Sequence, residues 1–520
     1  MSSRLSRRRL LEAAGGITFL ALAPNGRGAF AFAPDNAAAP APANGSSGRL
    51  PVFTALPYLQ PGGKGSVLVE GQESVVIAWQ TDETPADFQV LVSGPGGKGA
   101  ERAVAAPTRA SRPSGGGGDG ESRYVYAATL DGLKLGTRYG YRVRMNGKPL
   151  AEGYFTTRAP RGRKVRFATF GDNSFGEISD RMIAYQAYQA RPDFVMNTGD
   201  NVYENGLVDE YERYFFPVYN ADIAGERIGA PLLRSVPFYT VIANHDVHDK
   251  DKNKHPVADF TRNPGSLAYY TAMHLPLNGP EAPTTPTPTT GDDKWVSSFR
   301  TAAGDRFPRM ANYSFDYGDG HFLCLDSNVY VDPTDVSLQA WIVKDLTGTD
   351  AAWKFVVYHH PAFNVGADHY AEQHMRVLAP LFEQHGVHIV LHGHEHNYQR
   401  TRPLRFAPTD TTAATKIGSG KRLVPGTFTI DRTFDGQART VPNGVLYITT
   451  GAGGKHLYDI SANADPAQWL HPEDGNADYT ARFVSDRHSL TIVDMDAASL
   501  QLRQIDQWGN EIDRCRLTKA

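Results

Sequence analysis

Residues 197–206 read NTGDNVYENG. The run that leads into them, DFVMNTGD (193–200), is apolar and closes on glycine and aspartate, the pattern of a buried strand stopped by a tight turn. Asp200 lies between Gly199 and Asn201, and Tyr203 follows three residues later. A lone tyrosine at such a place packs beneath a loop. Whether this one does depends on what the neighbouring strands bring to the same end of the sheet.

Four more apolar runs end in the same way. KVRFATFGD (164–172) ends on Asp172, and PFYTVIANHD (237–246) on Asn244, His245 and Asp246. WKFVVYHHP (353–361) reaches His359 and His360, and VHIVLHGHEH (387–396) reaches His394 and His396. Helical stretches intervene. SDRMIAYQAYQARP (179–192) has Ser179 or Asp180 as its cap, and YAEQHMRVLAPLFEQHG (370–386) shows an apolar face of Leu378, Leu381 and Phe382. Pro380 is expected to kink that second helix and Gly386 to end it. Strands alternating with helices describe an α/β domain, whose ligands gather outside the carboxyl ends of the strands. One acid or histidine in a turn is ordinarily just solvated. Five such turns in succession point to a shared metal site.

The rest of the chain is organised around this domain. At 520 residues two or three domains are expected, and 41% hydrophobic with 21% charged residues describes a globular protein. Residues 51–160 have β texture: SVVIAWQT carries a buried Trp79, and Leu133, Thr137, Tyr139 and Tyr141 are spaced as in the tyrosine corner of a fibronectin type III sandwich. SRPSGGGGDGES is a flexible loop within it, and PEAPTTPTPTTGDD, near residues 280–300, is an extended surface insertion. Residues 34–50 form a Pro/Ala-rich tether. Residues 1–33 place Ser6-Arg7-Arg8 ahead of Leu10-Leu11 and a short apolar stretch, which resembles a twin-arginine export signal, a generic secretory signal being the alternative. An exported, periplasmic or extracellular protein with no stable membrane anchor is expected. The signal carries +4 of a net charge of -3, so the processed chain is acidic, and nucleic acid is not an expected partner. Cys324 reads as a small buried hydrophobe, and a disulfide with Cys515 is open.

The order GD…GDxxY…NH[DE]…VxxH…GHxH resembles the metallophosphoesterase superfamily and, within it, the purple acid phosphatases. It stands here as Gly171-Asp172, Gly199-Asp200-Asn201-Val202-Tyr203, Asn244-His245-Asp246, Val356-Val357-Tyr358-His359 and Gly393-His394-Glu395-His396. The resemblance implies a four-layer α/β/β/α domain over residues 164–515, following the sandwich. Two positions depart from the pattern: Ser174 stands where GDxG has its second glycine, and Ala243 where a glycine precedes Asn-His. Ser174 also fills the slot where many metallophosphoesterases carry a metal-binding histidine, a deficit that the tyrosine makes good in the purple acid phosphatases.

Carried over from the family, Asp172, Tyr203, His396 and the bridging Asp200 hold one metal, and Asn244, His359 and His394 with the same Asp200 hold the other. The first set is rich in anionic oxygen and suits Fe(III); the second suits a divalent Zn, Mn or Fe. Two such metals can clamp a phosphate ester and activate water. His245 is the candidate proton donor, with Asp246 orienting it, and His369 is a looser match to a histidine facing the substrate. His360 supports the site from behind or meets substrate; His248, His255, His374 and His392 read as structural or exposed. The function expected is a secreted phosphatase of the acid phosphatase type acting on small phosphomonoesters. A phosphodiesterase or phospholipase-like esterase on the same core is the alternative, and a surface-binding module with a structural metal is the reading from outside enzymology.

Overall fold

The computed structural model describes residues 50–62, 72–97, 101–113, 122–247, 265–281 and 303–519. The expected export signal, nearly all of the tether, the tip of the glycine-rich loop, most of the Pro/Thr-rich insertion, and His248 and His255 lie outside the described residues.

The first eight strands form two antiparallel sheets. One takes the order Phe53–Gln60, Gln72–Thr81, Ser122–Lys134, Thr108–Pro113; the other Arg102–Ala103, Phe88–Val92, Arg138–Met145, Lys148–Thr156. Between them Trp79 lies flat on Tyr126, ring centroids 5.3 Å apart, and Phe88 meets both edge-on. The Tyr139 hydroxyl accepts the backbone N–H of Lys134 at 3.0 Å, five residues upstream. Tyr141 instead donates its hydroxyl out of the sandwich, to the Arg234 carbonyl at 3.0 Å.

Alternation along the first two strands gives them two buried faces. Leu59, Val75, Ile77 and Trp79 fill the sandwich, whereas Ala55, Tyr58, Val76 and Ala78 belong to the core of the α/β domain. Glu73 and Arg158, both buried, form an ion pair at 2.6 Å. Arg158 also donates to the Asp316 carbonyl at 3.3 Å.

The α/β domain has two large sheets, besides the two-stranded ribbon Leu404–Pro408 with Gly426–Ile430. The first runs Phe238–Thr240, Phe194–Asn197, Val165–Phe170, Ser489–Met495, Ser499–Asp506, Glu511–Thr518, its first three strands parallel. The second runs Tyr313–Tyr317, Gly320–Cys324, Trp353–Val357, Ile389–His392, Leu446–Thr450, Tyr398–Thr401, Thr480–Val484, with a parallel middle. The sheets meet through aromatic rings: Phe167 and Phe194 of the first stand edge-on to Phe322 of the second, each at 5.3 Å. On its other face the first sheet turns Phe170 onto Tyr219, centroids 5.7 Å apart. Helix Ile178–Gln189 buries Ile183, Ala184 and Ala187. Helix Val336–Thr347, capped by the Asp335 carboxylate on the N–H groups of Ser337 and Leu338, buries Leu338, Ile342 and Leu346.

One expected helix needs correction. The stretch 370–386 is not a single kinked helix: a 3₁₀ turn, His374–Leu378, precedes a short α-helix, Ala379–Gln384, with Pro380 in its first turn, where its missing N–H costs no bond. Gly386, at φ 71°, does close it. Cys324 and Cys515 are both buried and unpaired with each other. Among the described residues no helix is long and apolar enough to cross a membrane.

Candidate metal centre

Every predicted donor follows the end of a strand, and three sit on left-handed backbone: Asp172 at φ 58°, Asp200 at φ 50° and His394 at φ 69°. That conformation turns the chain sharply and aims the side chains across the sheet ends. At Gly393 a methyl group would fall 2.5 Å from Asp172 Oδ2 and 3.2 Å from His359 Nδ1, so only glycine lets this turn approach.

Both departures from the family pattern have local compensation. Ser174 takes φ 62° where the pattern has glycine. The Asp180 carboxylate holds it there, accepting four successive N–H groups: Ser174 at 3.0 Å, Phe175 at 3.0 Å, Gly176 at 2.8 Å and Glu177 at 3.0 Å. The cap of the helix is accordingly Glu177, and Asp180 reaches back from its first turn to organise the loop after Asp172. Ala243 is not in the left-handed region. Its methyl lies 2.6 Å from where a side chain on Gly199 would start, so the glycine is needed at 199 and not at 243.

The structure brings Asp172, Asp200, Tyr203, His359, His394 and His396 into one buried cluster. The Tyr203 hydroxyl lies 2.9 Å from Asp200 Oδ2, 3.3 Å from Asp172 Oδ1 and 3.2 Å from His396 Nε2. His359 Nε2 lies 3.4 Å from Asp200 Oδ2 and 3.2 Å from His394 Nδ1. Asn244 Oδ1 is buried and has no hydrogen-bond partner, while the next N–H, of His245, reaches Asp200 Oδ1 at 2.9 Å. The phenol of Tyr203 is thus turned to the acids.

The outer nitrogens of the histidines settle where the protons are. His359 Nδ1 gives its proton to the Thr198 carbonyl at 2.9 Å, and His396 Nδ1 to the His456 carbonyl at 2.7 Å. His394 turns Nε2 to Glu372 Oε2 at 3.1 Å. Carbonyls and carboxylates only accept, so each ring commits one hydrogen outward and turns its other nitrogen to the cluster. The inward nitrogens of His359 and His394 and two carboxylates face one another. Such a set of buried acceptors fits cations.

Without a cation, the acids and imidazoles answer one another's charge. Burial pushes Asp172 up to about 8 against the pull of the His359 charge. Burial would also raise Asp200, yet the His359 and His245 charges hold it well below the carboxylate range. His359 is drawn up to about 9, its burial outweighed by Asp200. His394 is pushed down to about 4 by burial and by the charge of His369. Burial, then Asp200 and Asp172, lift the Tyr203 phenol far above its ordinary range. A bound cation inverts that last shift, since it favours the anion that burial opposes.

His245, Asp246 and His369 flank this cluster. His245 packs its ring 4.4 Å from that of Tyr203 and sets Nδ1 2.8 Å from the Glu204 carbonyl. Asp246 turns its carboxylate to Asn201 Nδ2 and the Ala243 N–H, both at 3.1 Å, and is pushed up to about 8 by burial and by Asp200. His369 lies 3.9 Å ring to ring from His394, with Nδ1 on Glu372 Oε1 at 3.1 Å. His360 is buried, with Nδ1 3.0 Å from the Ser327 hydroxyl. With Glu372 and His394 it forms a second group able to hold a metal, beside Asp200, His359 and His394. Residues 359 and 360 lie past the end of their strand, so strand alternation does not govern them; both rings adjoin His394. His374 and His392 are buried away from the donors, on the Ser327 carbonyl and the Thr449 hydroxyl. Sequence reasoning missed Glu372, Glu204 and Lys455. Only Glu372 left a signal, an acid three residues beyond His369.

Comparison with known proteins agrees with this geometry. Residues 166–398 match the family model described as calcineurin-like phosphoesterase. An uncharacterized protein of Mycobacterium tuberculosis is 26% identical over 408 residues, covering 73% of this chain and 66% of its own, so the chain spans just under two thirds of that relative's length. Purple acid phosphatase 17 of Arabidopsis thaliana is 26% identical over 268 residues, 46% of this chain and 66% of its own. Among solved structures, purple acid phosphatase PPD1 from yellow lupin (Lupinus luteus) seeds superposes with a TM-score of 0.61 at 17% identity, covering 89% of this chain and 74% of that one, a likeness of fold. Residues 166–398 therefore read as a calcineurin-like metallophosphoesterase domain, a fold that implies a binuclear metal centre, and the site holds His and Asp groups that could bind metal.

Proposed function

We propose that the protein is an exported phosphatase of the purple acid phosphatase type, hydrolysing small phosphomonoesters at a binuclear centre. The observation that carries the reading is the position of the Tyr203 hydroxyl, in reach of Asp172, Asp200 and His396 at once. Asp172, Tyr203, His396 and Asp200 form the oxygen-rich half suited to Fe(III). Asn244, His359, His394 and Asp200 form the half suited to Zn, Mn or Fe(II). When bound, the metals supply Lewis acidity, polarising the phosphate and lowering the pKa of water.

The chain's own groups do the rest. Thr198, His456 and Glu372 fix the histidine tautomers, and the turns at Gly199 and Gly393 bring the donors together. His245, with Nδ1–H committed to the Glu204 carbonyl, is left with Nε2 as the nitrogen that can pass a proton to the leaving alkoxide. His369, partly exposed beside His394, is placed to meet the phosphate. The strand modules of residues 51–160 serve as a fibronectin type III-like support, and residues 1–33 direct export by the twin-arginine route.

Metal analysis with a visible spectrum tests the assignment. Iron near one equivalent and a phenolate charge-transfer band that disappears in Tyr203→Phe are expected; an active, iron-free, colourless protein would overturn it. Hydrolysis of p-nitrophenyl phosphate well above bis-p-nitrophenyl phosphate is expected, and the reverse order would place the protein with the diesterases.

A further inference from the structure

One buried cation stands beside the cluster without being a donor to it. Lys455 follows the strand Leu446–Thr450 across the turn Gly451-Ala452-Gly453-Gly454, and that turn is fastened to the first sheet. The Gly453 N–H reaches the Gly171 carbonyl at 3.1 Å, and the Lys455 N–H reaches the Asp172 carbonyl at 2.9 Å. The side chain, only 5% exposed, then runs to the segment 197–206. Its ammonium lies 2.9 Å from Glu204 Oε1, 3.2 Å from the centre of the Phe175 ring and 4.3 Å from that of Tyr203.

The pair Tyr203-Glu204 is therefore held at three points. The phenol reaches Asp172, Asp200 and His396, the Glu204 carboxylate takes Lys455, and the Glu204 carbonyl takes Nδ1 of His245. We propose that Lys455 is a positioning residue: it fixes this pair, and through it both the phenol donor and the proton-donor histidine, while its charge over the Tyr203 ring steadies the phenolate. The proposal rests on the reading of Tyr203 as a metal ligand. A cation over an aromatic face is attracted to it, and more strongly once the ring carries negative charge. Withdrawing that charge raises the energy of the phenolate electrons, so a charge-transfer band starting from them moves to longer wavelength. A lysine buried only for packing would leave the band where it is.

The test compares the iron-loaded wild-type protein with Lys455→Met and Lys455→Arg. For Lys455→Met the band is expected at longer wavelength, with kcat lower by roughly tenfold and KM within about twofold, because geometry and not ground-state binding is lost. Lys455→Arg, which keeps the charge, is expected to return the band toward its original position. An unmoved band and unchanged kcat in Lys455→Met would overturn the proposal, as would an equal shift in both variants. Should Lys455→Met fail to fold, Glu204→Gln applies the same test by releasing the ammonium, and a wild-type spectrum from that variant counts against the proposal. If the wild-type protein itself lacks the band, the ligand assignment fails separately. Crystal structures of the metal-free protein and of Lys455→Met then decide the positioning role. A displaced Tyr203 ring and a broken Glu204–His245 contact support it, and an unmoved pair overturns it.

Discussion

Glu372 places Oε2 3.1 Å from Nε2 of His394 and Oε1 3.1 Å from Nδ1 of His369, so one carboxylate commits the protons of two imidazoles at once. Burial would raise its pKa, but His394 and the hydrogen bonds from His369 and His394 hold it well below the usual carboxylate range, so it is ionised and able to accept both.

Glu372→Ala removes the acceptor that keeps the His394 proton on Nε2. Metal affinity is expected to fall by about 10–100-fold, as for lost carboxylate partners of ligating histidines elsewhere. Equilibrium dialysis against the divalent metal measures it, and undiminished affinity would show that the tautomer is fixed by other means.

Asn244→Ala deletes an oxygen with no partner inside the protein. Unfolding of the metal-free protein should therefore be nearly unchanged, because no hydrogen bond is lost. Turnover of the metal-loaded enzyme should drop by about 100-fold. A variant that melts early and works normally would assign Asn244 to packing instead.

Asp180→Ala strips four adjacent N–H groups of their acceptor, a loss on the order of 3 kcal/mol in urea unfolding. Asp180→Asn should cost less. Its carbonyl oxygen can replace Oδ2, which takes three of the four bonds, while its amide would face the Ser174 N–H, donor against donor. Equal losses in the two variants would mean that charge and not bonding holds the loop.

His321 lies between Asp316 and Asp345, each 2.8 Å from a ring nitrogen. Burial alone would lower its pKa, but the two carboxylates outweigh it and draw it up to about 9. A histidine raised on folding stabilises fully below its unfolded value near 6.5, and the contribution is lost as pH climbs through 9. The staple is worth on the order of 3 kcal/mol at pH 6 and little at pH 10. Urea unfolding at both values, for the wild type and for His321→Gln, checks this. A difference between the proteins that does not shrink at high pH would be contrary to it.

The donors are readable in the sequence because each requirement is local. A strand end, a glycine and a ligand fall within a few residues, and the spacing of Asp200 to Tyr203 survives translation into a fold. Charge partners are barely readable: Glu372 leaves only its spacing from His369, and Lys455 meets Glu204 only once the two sheets close on each other. The helix expected over 370–386 fails in its first half because the 3₁₀ turn bends toward the Ser327 and Arg422 carbonyls, contacts that no periodicity records. Ser174 and Ala243 look, in sequence, like losses of backbone freedom. Asp180 and Gly199 supply what each needs, from elsewhere in the chain.

Strands Phe53–Gln60 and Gln72–Thr81 turn one face into the sandwich and the other into the core of the α/β domain, where the Tyr58 hydroxyl donates to the Ala272 carbonyl at 2.7 Å. The leading module is therefore not a cassette that recombination or a cloning scheme can exchange. A truncated chain starting near residue 164 would bare a greasy flank and clump before it could be assayed. Any lineage that shed those strands would have had to repaint the surface beneath them.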